Sequence, residues 1–396
     1  MPRSITAMVK PSLLVWARER AGFAIEDAAV KADVGAETLL AWESDDDESL
    51  PTIPQLRKLG EIYKKPLAVF FLPEPPKDFD AQREFRRLPG LMRQKETPEL
   101  RLALRTALFR REIARDLYER LQEDVPHTVA AVHPGEDEEV VGQRVRELLR
   151  IPWAKQVSWN GSYAALDAWR SAIERQGVLV FQTGKVKVEE MRGISIPDGP
   201  LPVIVLNNAD APQGRIFTLL HEFIHILLNN GGHQTSKLEG QKLPEDQLLE
   251  RVGNRFAAAV LMPRREFLAE ATNHPDAMMG DEAGLKRFAN RIKASPESIL
   301  RRLVALHRVS PSVYRLKRRG WQQHSWYSPP QGGGGPPIEV KIISSIGRPF
   351  TSLVLEGYQR NAVSSADVVD YLGVQLKHLQ KVANYLLPGP GAEAVA

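Results

Sequence analysis

Apolar positions recur at helical spacing through the first 72 residues, in Leu13 to Ala17, Ile25 to Ala32, Glu37 to Trp42 and Ile53 to Tyr63, with breaks at Gly22, Gly35 and Pro51. Four or five short helices are expected there. Residues 77 to 150 read mainly as long polar helices. Pro98 to Glu123, rich in Arg, Leu and Glu, has the periodicity of a packing or dimer helix, which leaves a homodimer open. The pattern then changes to three β-prone runs, Val178 to Gln182, Met191 to Ile196 and Pro202 to Asn207, expected to form a small sheet with an edge able to pair with an extended peptide. From Asp210 a helix is expected whose Ile216, Phe217, Leu219, Leu220, Phe223, Ile224, Ile226, Leu227 and Leu228 make it apolar nearly all round, the mark of a buried helix, with a capping-box-like Asp210 and Gln213 at its entry and Asn230-Gly231-Gly232 as its stop. Another helix opens at Pro244 and runs to about Leu261.

Punctuation sets the boundaries. Pro73-Glu-Pro-Pro76 closes the first unit, and the Gly/Pro tract from Ser328 to Pro337 cannot hold a helix or a ladder, so it reads as a linker. The expected organisation is a helical unit at 1–75, a helical connector at 76–150, an α+β domain at 151–270, a basic helical domain at 271–327, the linker at 328–337, a small helical unit at 338–388 and a tail at 389–396. The fold class is mainly α with a small β-sheet. Trp153, Trp159 and Trp169 are expected in a core.

Composition narrows the chemistry. The 396 residues are 43% apolar and 26% charged, which excludes a disordered or fibrous chain. No apolar run approaches the ~20 residues of a membrane span, and the N-terminus lacks a secretory core, so a soluble cytoplasmic protein is expected, with no membrane partner. The absence of cysteine excludes disulfides, thiolate zinc sites, iron–sulfur clusters and cysteine nucleophiles, leaving His, Asp and Glu for any metal. The net charge of +4 conceals segregation: residues 1–72 hold 9 Lys/Arg against 11 Asp/Glu, whereas residues 285–321 hold 11 Lys/Arg against Glu297 alone.

The sharpest chemical signal is His221-Glu222-Phe223-Ile224-His225, inside the buried helix. Two histidines four residues apart share one helix face, near enough for two imidazole nitrogens to hold one ion at ~2.0 to 2.1 Å. Glu222 projects a further turn-fraction round, beside the ion. A buried helix that admits two His and a Glu must satisfy them, because unpaired burial of such groups costs several kcal/mol. A hydrogen-bonded core pair is the competing reading. A zinc site of this kind needs a third ligand. The long metzincin spacing fails, because the sixth position past His225 is Gly231, so a carboxylate is expected.

Around this motif, Met191 to Ile196, Pro202 to Asn207, Arg215 to His225, Glu250-Arg-Val-Gly-Asn254-Arg-Phe-Ala257 and Leu261-Met-Pro263 resemble the ImmA/IrrE-type zinc metallopeptidases over about residues 155 to 270. That resemblance implies a zincin-like, gluzincin-type domain with His221, His225 and Glu250 as metal ligands, Glu222 as the catalytic acid/base, and zinc, or alternatively manganese, as cofactor. Glu239, Glu245 and His233 are the substitute ligands. Small residues at Gly253, Asn254 and Ala257, at helical spacing from Glu250, would let its helix approach closely. The chain departs from the family at two places: Ile224 stands where Gly is usual and adds bulk beside a ligand, and Gly253 stands where Ala is usual and costs about 1 kcal/mol of helix stability.

The first unit resembles the Cro/XRE repressor-like helix-turn-helix family through Ala28-Ala29, Val34, Leu39 to Glu43, and Pro51 to Leu59. The resemblance implies a DNA-binding fold. Yet the expected reading helix, 36 to 44, offers Glu37 and Glu43 and no cation, and Asp45-Asp-Asp-Glu48 follows, so protein contact is an equal reading. A weak repeat links Asp33 to Leu40 with Lys293 to Leu300, and a third copy runs through Ala366 to Val374. For nucleic acid the better electrostatic candidates are Arg301, Arg302, Arg308, Lys317, Arg318 and Arg319, against the reading of a solvated helix or a docking face for an acidic protein. Two functions result. One is a zinc endopeptidase whose substrate, by resemblance, is a helix-turn-helix repressor, cleaved to derepress stress, phage or mobile-element genes. The other is a DNA-binding regulator, or the antitoxin of a toxin partner, that uses the peptidase fold as scaffold.

Overall fold

A computed structural model describes residues 6–44, 49–63, 65, 67–72, 74, 97–127, 130–231, 244–323 and 335–386. Of the expected boundaries, Pro73, Pro75 and Pro76, most of the 328–337 linker and the 389–396 tail therefore lie outside the described residues, as do the acidic run Asp45 to Glu48, His233 and Glu239. The chain divides into two compact units, residues 1–106 and 107–396.

In the first unit, α1 (Pro11–Ala21), α2 (Ile25–Ala32), α3 (Ala36–Trp42) and α4 (Ile53–Tyr63) are followed by a tight 3-10 turn at Leu67–Phe71. Their apolar faces meet around Leu14, Ala17, Ala28, Leu39, Leu56 and Leu59, all buried. Asp33 takes the left-handed conformation (φ 59) that stops α2, and α3 begins three residues later. Glu43, expected on an outward reading face, points inward instead. Its carboxylate accepts both bonds from Nε of Arg18, at 2.8 and 2.9 Å, and is almost wholly enclosed. The exposed face of α3 is left with Glu37, Thr38 and Leu40, and carries no cation.

In the second unit, the long helix α5 (Pro98–Leu121), in which the division between units falls, leads to α6 (Glu138–Leu149), α7 (Trp153–Ser158) and α8 (Ser162–Glu174). Three strands follow, β1 (Leu179–Thr183), β2 (Gly193–Ile196) and β3 (Val203–Asn207), then α9 (Pro212–Asn230) and α10 (Glu245–Leu261). The sheet order is β1-β3-β2. β1 runs parallel to β3, with Leu179 opposite Val203, and β2 runs antiparallel to it, with Gly193 opposite Leu206. As the central strand, β3 is buried at all five positions, which is why Val203 to Leu206 is continuously apolar rather than alternating.

The remaining helices are α11 (Arg264–Ala271), α12 (Pro275–Met278), α13 (Glu282–Ile292), α14 (Pro296–Ala305), α15 (Pro311–Gln323), α16 (Ile338–Ile346), α17 (Arg348–Gln359), α18 (Ser365–Leu372) and α19 (Leu379–Leu386). One hydrophobic core runs from Val132 to Val309 and joins Trp169 of α8 and the apolar residues of α9 and α10 to Phe288 of α13 and Leu300 and Leu303 of α14. Segments 151–270 and 271–327 thus share a core. Charge segregates on the surface of α13 to α15, and surface charge does not mark where a core ends. The repeat between 33–40 and 293–300 is visible as local geometry, because Lys293 (φ 61) stops α13 as Asp33 stops α2, with the next helix three residues on.

The C-terminal helices pack against the β1 edge. Arg170, buried beside Glu174, donates to the carbonyl oxygens of Ser344 (2.5 Å) and Ile343 (3.3 Å) at the end of α16 and to Val180 of β1. Gln182 of β1 adds a bond from its side chain to Ser344 O at 2.7 Å. Among the described residues no helix is long and apolar enough to cross a membrane.

Candidate metal centre

Pro212 occupies the first turn of α9, where its missing N–H costs nothing and its fixed φ suits the helix. This moves the N-cap to Ala211. The expected capping box at Asp210 and Gln213 is not formed, and the Asp210 carboxylate accepts instead from the Ala211 N–H at 2.8 Å. From that start, His221 and His225 fall on one face of the helix, four residues apart.

Their Nε2 atoms are 3.0 Å apart, and the Glu250 carboxylate on α10 closes the triangle, with Oε2 3.2 Å from His221 Nε2 and Oε1 3.4 Å from His225 Nε2. An ion held tetrahedrally at ~2.0 to 2.1 Å separates its ligand atoms by roughly 3.3 Å. The donor set and its spacing therefore fit a divalent metal, and the three residues form the one such cluster among the described residues. Electrostatics shows the same coupling. Burial alone lowers the pKa of His221, but the hydrogen bond to Glu250 and the negative charges of Glu222 and Glu250 outweigh it and raise the pKa. Burial alone raises that of Glu250, yet hydrogen bonds from both imidazoles and their charges hold it well below the usual carboxylate range. Nδ1 of His221 is buried with no hydrogen-bond partner among the described residues.

The close approach of α10 to α9 depends on Gly253. A Cβ at that position would lie 3.1 Å from His221 Cε1 and 3.2 Å from His225 Nε2, so the missing side chain makes room for the imidazoles. Ile224, the other departure, is fully buried in the core and takes no part in lining the site. Its bulk points away from the cleft. The side chain of Glu245 lies outside the described residues, so of the substitute ligands none is placed at the site.

Glu222 is buried one position after His221, and the hydroxyl of Ser195 on β2 donates to its Oε2 at 2.8 Å. Gly193, two residues earlier on the same strand face, brings β2 against α9: a Cβ there would meet Thr218 Cγ2 at 2.4 Å and Glu222 Cγ at 3.4 Å. Asn207, wholly buried at the end of β3, donates to the carbonyl oxygens of Val186 and Met191 at 2.8 Å each and so pins the loop that delivers β2. Neither Ser195 nor Asn207 was expected to matter from sequence. The available signal was a lone serine between Ile194 and Ile196 in an otherwise apolar run.

A cleft of about 740 Å³ opens over the centre. Its lining includes Gly193, His221, Glu222 and Glu250, and also Arg301 of α14 and Tyr314 of α15. The six residues expected to face nucleic acid are therefore not one surface. Arg302 is buried at the edge of the cleft, with Nε donating to Met262 O at 3.0 Å and Nη2 to Glu139 at 2.5 Å, which corrects its assignment to an open nucleic-acid face: it is a structural tether. Arg301 lies on the cleft, Arg308, Arg318 and Arg319 are exposed, and Lys317 is half-buried. Trp169 is fully buried with Trp159 edge-on to it at 5.9 Å, and Trp153 packs against the same core.

Residues 173–304 match the family described as IrrE N-terminal-like domain, a peptidase family. The matched segment contains His221, Glu222, His225 and Glu250 and supports the peptidase part of the expected resemblance. No curated protein matches the chain.

Proposed function

We propose that the protein is a zinc-dependent endopeptidase acting on a regulatory protein, with His221, His225 and Glu250 as ligands and Glu222 as general acid/base. The observation that carries this reading is the convergence of three metal-competent ligand atoms and an adjacent buried carboxylate at one cleft. A zinc ion held by His221, His225 and Glu250 would supply Lewis-acid polarisation of the scissile carbonyl and of the attacking water. Glu222 would take a proton from the attacking water as its oxygen adds to the carbonyl carbon and would deliver it to the leaving amine nitrogen as the C–N bond breaks, while the Ser195 hydroxyl fixes the carboxylate's orientation. Antiparallel pairing directs Arg192, Ile194 and Ile196 at β3, as the bond from Asn207 N–H to Arg192 O shows. The main-chain groups of Gly193 and Ser195 consequently point to the other edge, where no strand pairs among the described residues, and an extended substrate can add there.

The narrower substrate, a helix-turn-helix repressor whose loss derepresses stress or mobile-element genes, is supported by the sequence resemblance alone. A DNA-binding regulator using this fold as scaffold is disfavoured by the cation-free face of α3 and by the burial of Arg302. Incubating candidate repressors with the zinc-loaded protein tests the mechanism. The Glu222→Gln variant is expected to retain metal and to lose roughly 10² to 10⁴ in cleavage rate. Equal cleavage by the two proteins would remove Glu222 from the chemistry.

A further inference from the structure

The basic run from 285 to 321 has no part in the chemistry above, and its side chains sort into distinct sets. Lys286, Arg287 and Arg291 are spent on Glu282, Asp276 and Glu270 in surface ion pairs, and Arg302 is the buried tether. Arg301 differs. It lies on the wall of the metal cleft, which Arg192, just before β2, and Arg255 of α10 also line. Both Arg255 and Arg301 are exposed, and neither has a hydrogen-bond or ion-pair partner among the described residues.

Arg318 is exposed on α15, one helical turn after Tyr314. Tyr314 itself lines the cleft, and burial and Glu297 raise the pKa of its hydroxyl, whereas the charges of Arg301 and Arg318 lower it. The carboxylates facing the same space are Glu138 and Glu297, in addition to Glu222 and Glu250, and Glu297 is engaged by the Tyr314 hydroxyl at 3.0 Å. The cleft therefore offers cations at discrete points, separated by carboxylates.

We propose that Arg255 and Arg301 form the substrate-reading wall of the metal cleft and select peptide segments that carry acidic side chains beside the bond held at the metal. This rests on the peptidase reading. A peptide can leave its neutral backbone at the centre and place single carboxylates on single arginines. Duplex DNA, with one charge per ~1.7 Å of axis, cannot keep its phosphates away from Glu138 and Glu297 in the same cleft. Unpaired cations on the rim also steer an acidic segment toward the cleft before contact.

The probe is a fluorescein-labelled Ala/Leu peptide with Glu on both sides of its central bond, compared with the same peptide carrying Gln. Binding is read by anisotropy on zinc-loaded Glu222→Gln protein, and cleavage on wild type. The Glu peptide is expected to bind roughly tenfold more tightly at low salt, and the preference to shrink with added salt. Adding Arg301→Glu is expected to cut that preference roughly three- to tenfold, whereas Lys341→Glu on α16 keeps it. Equal binding of the two peptides, or displacement of the Glu peptide by duplex DNA that binds more tightly through Arg301, would overturn the proposal. Acid-selective binding with no cleavage by wild type would uphold this wall and refute the peptidase reading. Cleavage of both peptides at equal rates would do the reverse.

Discussion

Ser195 is one hydroxyl whose removal separates orientation from structure. Its bond to Glu222 is a buried, charge-assisted one, 2.8 Å long, in a class worth about 1.5–3 kcal/mol. Ser195→Ala is expected to lower kcat roughly tenfold or more with KM and metal content nearly unchanged, because the carboxylate keeps its place in the sequence but loses its fixed direction. Ser195→Thr, which retains the hydroxyl, should recover most of the rate. A Ser195→Ala variant with unchanged kcat would reduce this bond to packing. At this scale the ligands were legible in the sequence and their support was not. His221 and His225 announce themselves by spacing within one helix, since four residues return to the same face. Ser195 and Asn207 act across elements, and no local pattern states which helix a strand residue will face. Glu43 shows the same limit: its charge was read as outward, but the inward turn depends on Arg18, 25 positions away.

Among elements, the contact between β2 and α9 decides whether Glu222 is held. Gly193 permits it, since a Cβ would sit 2.4 Å from Thr218 Cγ2. Gly193→Ala is expected to push strand from helix and to cost about 1–3 kcal/mol of stability. It should also lower cleavage without removing metal, because Glu222, not the ligand triangle, borders the displaced strand. Thermal denaturation and a zinc titration on the same variant check the two halves separately, and a variant as active and stable as wild type would mean that Thr218 yields freely. Strand positions, the buried metal helix and most of the short helices were readable from apolar periodicity. The start of α9 was misread because Pro212 displaced the cap that Asp210 seemed to supply. The parallel pairing of β1 with β3 was not readable, because strand order depends on long-range contacts that periodicity does not encode.

For the whole molecule, charge and core tell different stories. The strongly basic segment was expected as a separate domain, yet α13 and α14 bury Phe288, Ile299, Leu300 and Leu303 in the core that also holds the metal helix. Counting charges along a chain reads the surface, whereas domain limits follow shared burial. The consequence is functional: Arg301 of the basic run lies on the cleft that also opens onto His221, Glu222 and Glu250, rather than on a detached module. Zinc content of the purified full-length protein, set beside that of His221→Ala, tests the metal centre most directly. About one zinc per wild-type chain is expected, with only traces in the variant, in keeping with a three-ligand site that loses an imidazole. Wild-type protein that stays metal-free when zinc is supplied, or His221→Ala protein that holds as much zinc as wild type, would contradict it.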